Sequence, residues 1–212
     1  MFENITHEHD AALDVIIRAR RSVRAFSSTP PTRENVEAII QAGLLAPFGA
    51  QAVAGKTDFR KVFVIQNSSS AMMTASEILK KRMTKLAEEL ETKTGAVAFA
   101  RNLKQIGQHG VPGVGNAPYF VIVGEKKGMP HVAAQSLSHC LQNMWLKATS
   151  LRIGFELVSA TTQMDSDPEF CRFLDIPVGE YALDGCALGY PAEKYQPRPV
   201  KYPTLKESVS WL

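Results

Sequence analysis

The chain has 212 residues, 45% of them hydrophobic and 21% charged, with a formal net charge of +3. That length fits one large or two small domains and allows roughly 70% of the unfolded surface to be buried. The composition is ordinary for a globular protein, and the charge is too small to argue for nucleic-acid binding. No apolar run approaches the roughly 20 residues needed to span a bilayer. The polar, acidic start Met1-Phe2-Glu3-Asn4-Ile5-Thr6-His7-Glu8-His9-Asp10 is not a secretory signal, so a cytoplasmic protein is expected.

From Asp10 to Arg20, Ala12, Val15, Ile16 and Ala19 share one helical face, which predicts an amphipathic first helix. Ser27-Ser28-Thr29-Pro30-Pro31 breaks it. Thr32 then caps a second helix with Glu34 in its first turn and Val36, Ile39, Ile40 and Leu44 as the inward face, ending near Pro47. Lys61 to Gln66 is β-branched and apolar, a short buried strand. Ser68 to Ser70 start a long helix reaching about Glu91, whose charged second half from Lys80 to Glu89 reads as solvated surface.

Residues 92 to 116 read as an irregular, lid-like loop. The glycines from Gly107 to Gly115 lead into the strand Tyr119 to Val123, whereas a phosphate loop follows a strand and opens a helix. Pro130 to Leu151 is apolar around most of its circumference and predicts a largely buried helix. Its amides Gln142 and Asn143 need partners, either backbone groups or a cofactor. Phe155 to Ala160 reads as a strand or edge segment, and Asp167-Pro168-Glu169 as a helix start. Tyr181 to Tyr190 is the last core strand, before a proline-rich extended arm. Unevenly alternating helices and about four strands, with no repeat and no linker, give one α+β domain over residues 1–212, of which 191–212 form the arm.

Cys140, Cys171 and Cys186 are widely spaced, odd in number and flanked by apolar residues. They suggest neither a disulfide framework nor a zinc site, and small buried hydrophobes are expected. The stretch with most chemistry is Arg20-Arg21-Ser22-Val23-Arg24-Ala25-Phe26. Guanidiniums match a phosphate bidentately and serine adds a short donor, so the cluster suits an anionic cofactor. Basic residues at a helix C-terminus also complement its dipole while staying solvated, and the residues alone leave both readings open.

Four stretches in chain order resemble the nitroreductase family of flavin mononucleotide (FMN) enzymes. They are Arg20 to Phe26; Ala42-Gly43-Leu44-Leu45-Ala46-Pro47-Phe48-Gly49-Ala50-Gln51; Ala148-Thr149-Ser150-Leu151-Arg152-Ile153-Gly154; and Ala187-Leu188-Gly189-Tyr190-Pro191-Ala192-Glu193, followed by Arg198. The resemblance implies a central, mostly antiparallel sheet flanked by helices, in an intertwined homodimer with FMN at the interface. It implies that Arg20, Ser22 and Arg24 grip the phosphate and ribityl tail, that Arg21 contributes mainly backbone, and that Arg198 completes the clamp. Pro47, Phe48, Gly49 and Gln51 would reach the flavin from the partner subunit. The backbone N–H groups of Ser159, Ala160 and Thr161 would face its reactive edge. The sequence departs from the family at Phe48 and Gln51, where serine and asparagine are common, and lacks the glycine often found near Thr162.

The function so implied is hydride transfer from NAD(P)H to flavin N5, then to a nitroaromatic, quinone or similar acceptor. No side chain need serve as nucleophile, in keeping with the absence of a Ser-His-Asp or Cys-His arrangement, and no metal is called for. The alternative is a protein that binds flavin or another phosphorylated ligand without turnover. Nucleic-acid binding is disfavoured because no aromatic residues interleave the basic ones.

Overall fold

The computed structural model describes residues 3–49, 54–93, 95–196 and 199–211. Its centre is a four-stranded antiparallel sheet of β1 (Arg60–Gln66), β2 (Tyr119–Lys126), β3 (Gly154–Leu157) and β4 (Tyr181–Gly189), in the order β1-β2-β4-β3. Helices cover both faces, so the inner strands β2 and β4 are apolar in near-continuous runs. On one face Val121, Val123, Cys186 and Leu188 pack against α2 (Arg33–Leu44) and the long helix here numbered α5 (Ala133–Ser150). On the other, Phe120, Ile122, Leu183 and Ala187 meet α3 (Ser70–Glu91), α4 (Val97–His109) and α6 (Pro168–Phe173).

Predicted helix starts are realised atom by atom. The Thr32 hydroxyl accepts the Asn35 N–H at 3.3 Å, and the Asp167 carboxylate accepts that of Phe170 at 2.9 Å, with Pro168 in the first turn. Asn143 satisfies its amide on backbone, donating to Ala42 O at 3.2 Å, while Gln142 is exposed. All three cysteines are buried and free.

The irregular loop expected over residues 92–116 is corrected. Residues 97–109 form α4, because Ala100 and Leu103 bury against α3, Ile106 packs beside them, and no breaker precedes Gly107. The first helix, α1 (His7–Ala19), has no buried residue. Its apolar positions lie outside the core, with Val15 66% exposed, because the helix rests on the periphery against α5. The arm carries one further turn, α7 (Leu205–Ser208). Among the described residues no helix is long and apolar enough to cross a membrane.

Candidate functional site

Beyond Ala19 the chain turns out of α1 at Arg20 and runs beside β3 as an incomplete fifth strand. Ser22 bridges Phe155 in parallel, and Val23 N–H donates to Phe155 O at 3.0 Å. The Val23 side chain fills the space where a Cβ on Gly154 would stand, 2.8 Å from its Cγ1. The C-terminal arm covers the other side of this segment. Ser27 N–H donates to Tyr190 O at 2.8 Å, Phe26 bridges Pro191, and Ala192 N–H donates to Ala25 O at 3.0 Å. The Tyr195 hydroxyl donates to Ser22 O. Residues from the two ends of the sequence therefore clasp one extended stretch.

The three arginines take different partners. Arg21 turns back and donates to Arg18 O and Arg20 O, both at 2.7 Å, so it neutralises the carbonyl end of α1. Its own carbonyl accepts from Trp145 Nε1 at 3.3 Å. The dipole-complementing reading holds for this residue. Arg20 is half-buried with its guanidinium 4.3 Å from the centre of the Trp145 ring, which stacks at 4.9 Å on Phe155. Arg24 is half exposed, with Nε 3.5 Å from Glu156 Oε1. Among the described residues its terminal nitrogens have no partner. Burial pushes the Glu156 carboxyl up to about 6, against the lowering effect of Arg24.

Along β3 from Glu156 the chain enters a 3₁₀ turn, Ser159–Gln163. Thr161 is consumed inside it, its N–H and hydroxyl both donating to Val158 O at 3.1 and 2.7 Å. Ser159 and Ala160 line an apolar cavity of about 380 Å³, walled by Met83, Leu86, Leu90, Phe99, Leu103 and Ile106 of α3 and α4. From Phe155, beside Ser22, to Ser159 is four residues, about 13 Å of extended chain. An elongated ligand with an anionic head and a flat apolar tail suits that spacing.

Pro47, Phe48 and Gly49 lie elsewhere. Phe48 is 53% exposed with its ring 4.9 Å from that of Phe59, and Gly49 sits against Val132 and Ser136 at the start of α5. Trp145, beside the arginines, lies nine to thirteen residues farther along, about 14–20 Å of helix. One chain thus holds the arginine segment and the 47–49 loop at opposite ends of α5. Gln51 and Arg198 lie outside the described residues.

Residues 17–190 match the family model described as the nitroreductase family. The chain belongs to the nitroreductase family. A nitroreductase with bound FMN from Bacteroides fragilis NCTC 9343 superposes with a TM-score of 0.73 at 23% identity, covering 94% of this chain and 98% of that one. A BluB-like flavoprotein from Clostridium difficile 630 gives 0.71 at 21% identity, covering 94% and 98%. Oxidised iodotyrosine deiodinase bound to FMN and 3-iodo-L-tyrosine gives 0.66 at 16% identity, again covering 94% and 98%. At these identities the likeness speaks for the fold. No curated protein matches the chain.

Three residues of this candidate site are not singled out by the sequence. Trp145 counts there only as one more apolar residue of a largely buried helix, yet its ring carries Arg20 and its indole N–H holds the Arg21 carbonyl. Tyr195 sits in an arm with no periodicity to flag it. Glu156 had a signal, an acidic residue between Phe155 and Leu157 in a short apolar strand.

Proposed function

We propose that this nitroreductase-family chain binds FMN and is an oxidoreductase, taking hydride from NAD(P)H onto flavin N5 and passing it to a small electrophilic acceptor such as a nitroaromatic or a quinone. The observation that carries the reading is the clasp around Ser22. It presents Arg20 and the open fork of Arg24 on a segment held between β3 and the arm, a few residues from an apolar cavity.

The residues present fit the cofactor. Arg20 and Arg24 supply charge-assisted donors for a phosphate dianion, and the Ser22 hydroxyl supplies a neutral one. The Trp145–Phe155 stack holds the Arg20 guanidinium at a fixed height, so less side-chain freedom is lost on binding. Bound FMN would supply the redox chemistry, for which no protein nucleophile is needed. Backbone N–H groups of Ser159 and Ala160 orient the reacting partner, and the α3–α4 wall excludes water from it.

The reading includes a homodimer with shared sites. The 47–49 loop stands too far from the arginines to serve the site of its own chain, whereas a partner's copy can reach it. Leu44, Leu45 and Phe48 are exposed around that loop, and α1 exposes Leu13, Val15 and Ile17.

A visible absorbance spectrum of the purified protein is the first test, with the yellow flavin bands expected. A colourless protein that takes up no FMN on reconstitution would refute the reading. Anaerobic mixing of the loaded protein with NADH or NADPH then separates an enzyme, whose flavin bleaches, from a protein that only stores flavin.

A further inference from the structure

Mid-strand positions in a short, covered strand normally carry apolar side chains, and β3 obeys this except at Glu156, which is 5% exposed. Its register partner on β4 is Ala187, and Val158 flanks it. The loop before β2 closes over it at Gly113, where a Cβ would stand 3.1 Å from Glu156 Oε2 and 2.7 Å from the Ala187 methyl. Gly113 has φ +86°, a backbone conformation that favours glycine, so the loop approaches as closely as a chain can. Under this cover Oε2 is fully buried and has no hydrogen-bond partner among the described residues. Of the groups packed around the carboxylate, Gly113, Ala187 and Val158 carry no charge. Arg24 is the one charged group that acts on it among the described residues.

One guanidinium thus stands between a sheathed carboxylate on its Nε side and open space on its fork side. On the reading above, that open space receives a phosphate dianion. We propose that Glu156 is a positioning residue that aims Arg24 at the cofactor phosphate and takes up a proton when FMN binds. Two anions then compete for one cation, and among the described residues the buried one has no second donor to fall back on. The dianion draws off part of Arg24's compensation, and the cheapest response is protonation of the carboxylate, whose ionised form burial already disfavours. Ionised Glu156 therefore opposes FMN, and its protonation relieves the opposition.

The test is calorimetric titration of the full-length apoprotein with FMN in buffers of different ionisation enthalpy, for wild type and Glu156→Gln, from about pH 5.5 to 8. Both chains meet the same phosphate titration, so it cancels in the difference. Wild type is expected to take up a fraction of a proton more than E156Q near neutrality. E156Q is expected to bind FMN about three- to tenfold more tightly above pH 7, a gap that closes at the acid end. An infrared difference spectrum of wild type on FMN addition, expected to gain a protonated-carboxyl band, supplies a measurement that does not depend on the variant folding. Equal proton counts with weaker binding by E156Q, or no such band, would reduce Glu156 to a structural prop and overturn the proposal. Failure of wild type to bind FMN at all would overturn this proposal together with the functional reading, an outcome distinct from intact binding without proton uptake.

Discussion

The phenol of Tyr195 donates its hydrogen to the backbone carbonyl of Ser22, across 173 residues of sequence. That bond closes a clasp begun by Ala192 on Ala25 and Pro191 on Phe26. Tyr195→Phe leaves a half-buried carbonyl without its donor, worth about 1 kcal/mol. The arm is expected to become more sensitive to limited proteolysis, and FMN affinity to fall by about fivefold, the same free energy read at the site. Unchanged cleavage and affinity would mean that the phenol contributes nothing to the clasp.

The arginines are expected to separate sharply on mutation. Arg20→Ala removes a charge-assisted contact and a cation seated on Trp145, and should weaken FMN by about 1.5–3 kcal/mol, roughly ten- to a hundredfold. Arg24→Ala should cost a similar amount, and it also strands the buried Glu156 carboxylate. Arg21→Ala should leave affinity within about twofold, because its guanidinium caps α1 and not the ligand. Fluorescence quenching of free FMN measures all three. Equal losses for Arg20 and Arg21 would contradict the division of labour.

How much of this was legible beforehand depends on the kind of signal. Local rules found the caps at Thr32 and Asp167, the strand from Lys61 and the long helix to Glu91, since each depends on neighbours within a few residues. The arginine motif was visible as chemistry, and the α1 cap by Arg21 is local, but the Trp145 platform and the Glu156 pair depend on partners more than a hundred residues away. Helix α4 was missed because the glycines after it and the charges before it hide a short inward face of Ala100, Leu103 and Ile106. The apolar stripe of α1 was legible, but a stripe does not say what covers it, and in this chain α1 rests on α5 with no residue buried.

Two carboxyls give the fold a pH dependence with a definite sign. Burial raises Glu156 from 4.5 to about 6, opposed by Arg24. Burial likewise raises Asp184 from 3.8 to about 6, opposed by bonds from the Gly185 N–H and the Thr161 hydroxyl. For an acid whose folded value lies above its unfolded one, the stabilising contribution is complete below the unfolded value and is lost as pH rises through the folded one. Both groups should therefore lower the unfolding temperature of the apoprotein between about pH 4 and pH 7. Asp184→Asn is expected to flatten that slope while keeping an acceptor for Gly185. Parallel wild-type and variant curves across the window would show that Asp184 does not titrate there.

Arg60 and Glu125 face each other in the β1–β2 ladder, each side chain 3% exposed, with Nη2 and Nε 2.6 and 3.1 Å from the same carboxylate oxygen. Arg60 Nη1 also donates to Gly43 O at 3.2 Å, tying the end of α2 to the sheet just before the 47–49 loop. Removing one partner leaves a buried charge, so Arg60→Ala should destabilise the fold by about 3–5 kcal/mol. Replacing both with leucine should recover most of that loss, because desolvating the pair already offsets much of its attraction. Chemical denaturation of wild type and the two variants measures it, and a double variant as unstable as R60A would contradict this account.

A site shared between two copies of the chain would make oligomeric state and flavin content a single observable. Val15 is 66% exposed and Leu45 75% exposed, on α1 and just beyond α2, both of which pack against α5. Placing a carboxylate at both positions, Val15→Asp with Leu45→Asp, disturbs no buried side chain of this chain, so the isolated fold should keep its helical circular dichroism. If each site is completed by the partner's 47–49 loop, the wild type runs as a dimer in light scattering and the double variant as a monomer. The monomer should lose most of its bound FMN although Arg20, Ser22 and Arg24 are intact. Retention of full flavin by a folded monomer would mean that the arginine clasp suffices and that the distant loop serves another purpose.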